Sequence, residues 1–419
     1  MMPIQPISRK FALASLSGLV ALSPVAAHDP KASLAEFLAS KIRAEQQATV
    51  TTVPLRRHMG KIAIDASVDG VERQFIFDTG SPTIISRSFA AELDLEIVGS
   101  NVGADANGTP VRMDIARVAR LSIGDMTFFD VPVMVHDFDT LDLGPCFFDG
   151  GLIGSEIFPG YAWRIDLDAQ TVEIAADSGS FPARSASGPA IETTLTDFGY
   201  PHAPIVDYSV GKMEDKALVD TGNSEKLSLF AAALKSEEVR KAIVPGSQRE
   251  GRGSHGTSSG GEGEMEDLAR MVLSSLHVGD NHIERVETLI RPVPPSLLGL
   301  GLMRTHRLTL DYPAGIARFV PFEHGDRSVR DRAGFAVAAR GERFEVVQLY
   351  EGSRAEEAGL RLEDEVAALD GHELDASDRD ARCDTTRWLT GSDHVERANR
   401  VTVIREGERV ELKLRPPSN

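Results

Sequence analysis

The chain contains a copy of itself, and that duplication limits its architecture more than any other feature. Segment 62–81 reads IAIDASVDGVERQFIFDTGS, and segment 204–223 reads PIVDYSVGKMEDKALVDTGN. Seven of these twenty positions are identical without a gap, among them Asp65/Asp207, Ser67/Ser209, Val68/Val210 and the triplet Asp-Thr-Gly at 78–80 and 220–222. The far ends also correspond: Gly154 lies 12 residues before Asp166, and Gly299 lies 12 before Asp311. Between them, SIGD (122–125) echoes HVGD (277–280). A repeat of this kind implies two units of roughly 120–135 residues with one shared plan.

That plan is β. Runs such as IAIDASV, FIF, VPVMV, WRIDL and TVEIA are short, β-branched or aromatic, and bounded by Gly, Asp and Pro. Apolar spacing predicts short helices at 86–94 and 227–242. Segment 178–190 (SGSFPARSASGPA) reads as a linker. Segment 251–264 (GRGSHGTSSGGEGE) reads as a mobile loop outside the core.

One Asp-Thr-Gly alone would be a turn. Two, each ending an apolar strand at matching points of a repeat, predict two carboxylates meeting across a pseudo-twofold axis. Carboxylates about 3 Å apart cannot both ionise comfortably, so they share a proton and titrate as a pair. The ionised member can take a proton from water while the protonated one donates to a carbonyl. Glycine after the threonine lets the backbone turn tightly beside them.

On these residues, together with Leu152-Ile153-Gly154 and Leu297-Leu298-Gly299, the region 53–322 resembles the retropepsin-like bacterial aspartyl proteases, with both lobes on one chain. The resemblance implies a catalytic dyad of Asp78 and Asp220. Thr79 and Thr221 would grip each other's backbone, and Gly80 and Gly222 would support the carboxylates. Ser81 keeps the hydroxyl expected beside the first aspartate. Asn223 departs from that pattern, so the second carboxylate is expected to be tuned differently. Residues 103–110 and 251–264 would carry flaps, without the tyrosine of pepsin-type enzymes.

After Phe322 the register changes. EHGDRSVRDR (323–332) is charged and linker-like. Strand-like segments follow at 334–339, 344–350, 365–371, 400–406 and 409–415, with short helices expected at 353–361 and 376–391. The order, with Ala333-Gly334-Phe335 and EGSRAEEAGLRLEDEVAALDG, resembles a PDZ domain of the bacterial protease-associated kind over 328–417. It implies a groove that takes an extended peptide or a protein C-terminus as an added strand, with the amides near Gly334 and Phe335 holding a terminal carboxylate.

At the N-terminus, Arg9-Lys10, the apolar stretch Phe11–Leu22 and the small residues Val25-Ala26-Ala27 have the layout of a secretory signal peptide. The expectation is export to a periplasm or beyond, with no integral membrane segment after its removal. A net charge of −18 argues against nucleic-acid binding through a basic surface. Cys146 and Cys383 are too few for a disulfide framework, fall in different modules and are read as unpaired thiols. No metal motif is present; G-x-G-x-x-G at 251–256 lacks the strand and helix that a dinucleotide site needs.

The expected fold is mainly β: two pseudo-symmetric acid-protease (retropepsin/pepsin-like) β-barrel lobes, then a small α+β PDZ domain. The expected boundaries are 1–27 for the signal peptide, 28–52 for an N-terminal segment, 53–178 and 188–322 for the lobes, and 328–417 for the last domain. Segment 28–52 includes LAEFLASKIRAEQQA, an expected amphipathic helix that could shield the cleft. The expected activity is cofactor-free endopeptidase action on peptides or unfolded proteins. The rival reading is an inactive periplasmic peptide-binding adaptor, and a third pairs first lobes between chains.

Overall fold

A computed structural model describes residues 42–197, 202–324 and 332–416. The expected signal peptide, the start of the 28–52 segment and most of the charged stretch after Phe322 lie outside the described residues. The fold is mainly β.

The duplication is visible as repeated strand pairing. In the first half, the hairpin Lys61–Val68/Val71–Phe77 delivers the chain to Asp78. Strand Gly151–Ile153 then lies parallel to Val71–Phe77 and antiparallel to Ile84–Ser86. Strand Ile84–Ser86 in turn runs parallel to Met126–His136. The second half does the same. Hairpin Ile205–Val210/Met213–Asp220 ends at Asp220, Ser296–Gly299 runs parallel to Met213–Asp220, and Leu227–Phe230 sits between Ser296–Gly299 and Asn281–Arg291.

Both halves meet in a six-stranded sheet, three strands from each. Its central seam pairs Ala162–Asp166 with His306–Asp311, antiparallel, in the register Trp163↔Leu310 and Ile165↔Leu308. Across the seam Arg307 Nε donates to Asp166 at 2.6 Å, with both side chains buried. The core beneath is aromatic: Phe158 stacks on Trp163 at 4.3 Å and on Phe77 at 5.6 Å. Phe77 is the last residue before Asp78, so this buried stack anchors the strand end that presents the carboxylate.

The last unit has strands Phe335–Arg340, Arg343–Tyr350, Glu365–Leu369, Arg400–Arg405 and Glu408–Lys413, with helices Arg354–Glu357 and Arg379–Gly391. It encloses its own core, which includes Phe344, Val346, Leu360, Val366, Leu389, Val401 and Val403. Ser353 caps the first helix by accepting from Glu356 N at 3.2 Å, and Asp378 caps the second by accepting from Ala381 N at 2.9 Å.

Four expectations are corrected. Cys146 and Cys383 are joined in a disulfide, their Cα atoms 6.2 Å apart, because helix Gly144–Phe147 of the first half lies against helix Arg379–Gly391. Their separation of 237 residues carried no trace of that docking. The glycine-rich stretch 251–264 is a β-hairpin arm, not a mobile loop: Arg249–Ser254 pairs with Met265–Val278 on one side and Arg343–Tyr350 on the other. Its glycines answer to close backbone approach, since a Cβ at Gly251 would lie 2.5 Å from Leu349 O and one at Gly253 2.3 Å from Val347 O. Residues 227–242 begin as strand Leu227–Phe230, and only Glu237–Ala242 is α-helix. Burial in the sheet overrides the helical spacing of that stretch. Finally, Arg43–Gln46 is a strand on Met126–His136, and Val50–Pro54 joins the six-stranded sheet. The described part of 28–52 is thus built into the first half and does not form a helix over the cleft.

Candidate active site

The two Asp-Thr-Gly loops face each other from one chain. Thr79 N donates to Thr221 Oγ1 at 2.9 Å, and Thr221 N donates to Thr79 Oγ1 at 3.0 Å. Each hydroxyl then donates across the axis, Thr79 Oγ1 to Val219 O and Thr221 Oγ1 to Phe77 O, both at 2.6 Å. Both threonines are fully buried. These four bonds fix the strand ends relative to each other.

The glycines set the distance between the carboxyls. Gly80 N donates to Asp78 Oδ1 at 2.9 Å, and Gly222 N donates to Asp220 Oδ1 at 2.7 Å. Each glycine also packs on the opposite aspartate. A Cβ on Gly80 would sit 2.6 Å from Asp220 Cγ, and one on Gly222 2.5 Å from Asp78 Oδ2. No other residue type fits at either position without moving a carboxyl group.

Each carboxyl lies against the glycine of the opposite loop and the two interact directly, so their protons belong to the pair. Both are held above the ordinary aspartate range. Burial is the main cause for each, and for Asp220 the charge of Asp78 adds to it. The Gly80 and Gly222 amides and Lys61 oppose the rise. Ser81 Oγ donates to the Asp78 main-chain O at 3.5 Å, and its side chain also opposes the rise of the Asp78 carboxyl.

Asn223 does not take the mirror role. Its Oδ1 accepts from Ser228 Oγ at 3.2 Å and Glu225 N at 3.4 Å, and its Nδ2 bonds no described residue. Nδ2 instead lies 2.7 Å from where a Gly299 Cβ would be. The longer side chain has turned from the carboxylate toward the Leu297-Leu298-Gly299 loop.

Two cations near the pair had no signal in the motifs. Lys61 Nζ donates to Gly222 O, and to Ser224 Oγ at 3.3 Å. Arg291 ends the strand Asn281–Arg291, donates to Pro295 O, and reaches Ala106 O in the first flap tip at 3.1 Å. The flap tips themselves meet: Gly260 N donates to Asp105 Oδ2 at 3.0 Å, and Asn107 Nδ2 to Gly256 O at 3.1 Å. Below them lies a cavity of about 2730 Å3 bordered by both aspartates. Val337–Ala339 and Thr386 of the last unit also border it.

Gly334 and Phe335 lie elsewhere. They border a second cavity of about 1000 Å3, which Asp220 and Lys61 reach but Asp78 does not. Gly334 has a φ of +83° and its O accepts from Tyr350 N at 3.0 Å. A Cβ there would meet Ser353 Cβ at 2.2 Å, so glycine is required. Phe335 packs in the core of its unit.

With this geometry in place, residues 64–157 match the family model described as aspartyl protease, from within strand Lys61–Val68 to just beyond Gly154. That match supports an aspartyl protease fold. Among solved structures, the chain is similar to an aspartic proteinase from Irpex lacteus, at 12% identity and a TM-score of 0.42. The likeness covers 65% of this chain and 98% of that one. No curated protein matches.

Proposed function

We propose that the protein is an exported aspartic endopeptidase in which Asp78 and Asp220 activate water. The observation that carries this reading is the pair of facing, half-buried carboxyls, each packed against the glycine of the opposite loop and clamped by reciprocal Thr79–Thr221 bonds. In the state with one proton on the pair, the ionised oxygen takes a proton from a bound water. The hydroxyl so formed attacks the peptide carbon, and the protonated carboxyl donates to the carbonyl oxygen. The tetrahedral diol collapses as the amide nitrogen takes a proton from the pair and one diol hydroxyl returns a proton to it, so the C–N bond breaks, the C=O reforms and the pair again holds one proton. The cavity under the flaps takes an extended polypeptide.

The last unit, in this reading, is a PDZ-type module that recruits or gates substrate. Its strand Phe335–Arg340 pairs only with Arg343–Tyr350 among the described strands, and Val337–Ala339 open onto the cavity of the aspartates. An incoming chain could add to that free edge. Deleting 328–419 should change substrate choice or rate. The disulfide suits an oxidising compartment and supports export.

The adaptor reading is kept by Asn223, whose side chain makes no bond to Asp220. One experiment separates the two. The full-length protein is incubated with a mixed peptide library from about pH 3 to 8 beside Asp78→Asn and Asp220→Asn, and cleavage is read by mass spectrometry. Cleavage lost in both variants supports the dyad. Binding without cleavage in the unaltered protein supports the adaptor.

A further inference from the structure

Besides the exchange of Ser81 for Asn223, the two halves differ next to the aspartates at Lys61. Lys61 opens strand Lys61–Val68; by the offset that equates Asp78 with Asp220, its counterpart is Ala203. The pair therefore has a lysine on the Asp220 side and an apolar methyl at the related point. Lys61 is also firmly placed. It follows a tight turn in which Met59 and Gly60 both have positive φ, 47° and 80°. Gly60 packs against Thr390 of helix Arg379–Gly391. From there Nζ donates to the carbonyl of Gly222, whose own amide bonds Asp220 and whose Cα abuts Asp78.

We infer that Lys61 is a positioning residue that sets the pH range over which the Asp78/Asp220 pair holds a single proton, by fixing a cation on one side of it. The inference rests on the dyad reading above. The other charged groups around Lys61 are accounted for. Glu225 is engaged by Arg270; Arg291 donates to Pro295 O and Ala106 O and is a second positive charge felt by Asp220, unchanged in every Lys61 variant; and His58, opposite Lys61 in its hairpin, meets Phe147 edge-on. Burial lowers the Lys61 ammonium, and the charges of Asp220 and Asp78 are the largest influences that hold it up. By the same interaction the lysine favours ionised carboxylates, and removing its charge moves their titration to higher pH.

The test is a pH titration of the full-length protein carrying 13C at the aspartate carboxyl carbons, with Asp78→Asn and Asp220→Asn assigning the pair. Lys61→Gln keeps a donor for Gly222 O without the charge, Lys61→Met removes both, and Lys61→Arg restores the cation. The upper midpoint of the pair is expected to rise by about one unit in Lys61→Gln and Lys61→Met and to return in Lys61→Arg. The bell-shaped profile of kcat/KM should move with it. Unchanged midpoints in a folded Lys61→Gln protein overturn the inference. If the midpoints move while the unaltered protein cleaves nothing, the Lys61 assignment stands and the peptidase reading falls.

Discussion

Replacing Thr221 with valine tests the cross-axis clamp directly. Valine has nearly the threonine shape, so no cavity opens, but the hydroxyl is lost. Two buried groups then lose their partners: Thr79 N, which Thr221 Oγ1 accepts at 2.9 Å, and Phe77 O, to which it donates at 2.6 Å. Each unsatisfied buried group costs about 1–3 kcal/mol, so the loss is ~2–6 kcal/mol. For a folding unit of this size that corresponds to a fall in Tm of at least about 4 °C. Thr79→Val orphans the symmetric pair, Thr221 N and Val219 O, and should cost a similar amount. Thr221→Ser keeps the hydroxyl and loses only a methyl, about 1 kcal/mol. Calorimetry measures the Tm values, and peptide cleavage reports whether the carboxyls keep their spacing. Valine variants that melt within about 1 °C of the unaltered protein would refute the claim that these bonds hold the halves together.

Other outcomes follow from buried groups away from the pair. Burial, opposed by the Thr83 hydrogen bonds, raises the Glu156 carboxyl to about 7. Its folded value exceeds the unfolded one, so its contribution to stability is complete below about pH 4 and is lost as pH rises through 7. Glu156→Gln should therefore gain stability relative to the unaltered protein between pH 5 and pH 8, by up to ~3 kcal/mol, read by urea unfolding at each pH. Cys146→Ser and Cys383→Ser remove a link across 237 residues, worth about 5 kcal/mol by loop-closure entropy. The last unit should then melt at a lower temperature, and reductant should reproduce the effect in the unaltered protein.

How much of this was legible depended on distance along the chain. The repeat exposed both Asp-Thr-Gly loops and the Gly154 and Gly299 strands, because these features are local and doubled. Strands such as Lys61–Val68 and Thr171–Ala175 announced themselves by alternation or β-branching. The hairpin at Arg249–Ser254 was hidden because its glycines look like flexibility, whereas they make room for the carbonyls of Val347 and Leu349. Stretch 227–242 misled because its apolar spacing fits a helix while its first four residues are buried in a sheet. Lys61 had no signal beyond its absence from the second copy, and the turn of Asn223 away from Asp220 is a matter of one rotamer. The Cys146–Cys383 pairing depends on where two separate units dock, which no local pattern encodes.

That disulfide changes what a cut in this chain can do. Residues 146 and 383 close a covalent ring that contains Asp220, the second flap and the passage into the last unit, while Asp78 lies on the open tail. A single nick anywhere between the two cysteines opens the ring without releasing a fragment. A protease that clips itself there would run as one species on a non-reducing gel and as two only after reduction. Clipped molecules could thus keep both aspartates, and the unit beside them, in a single particle.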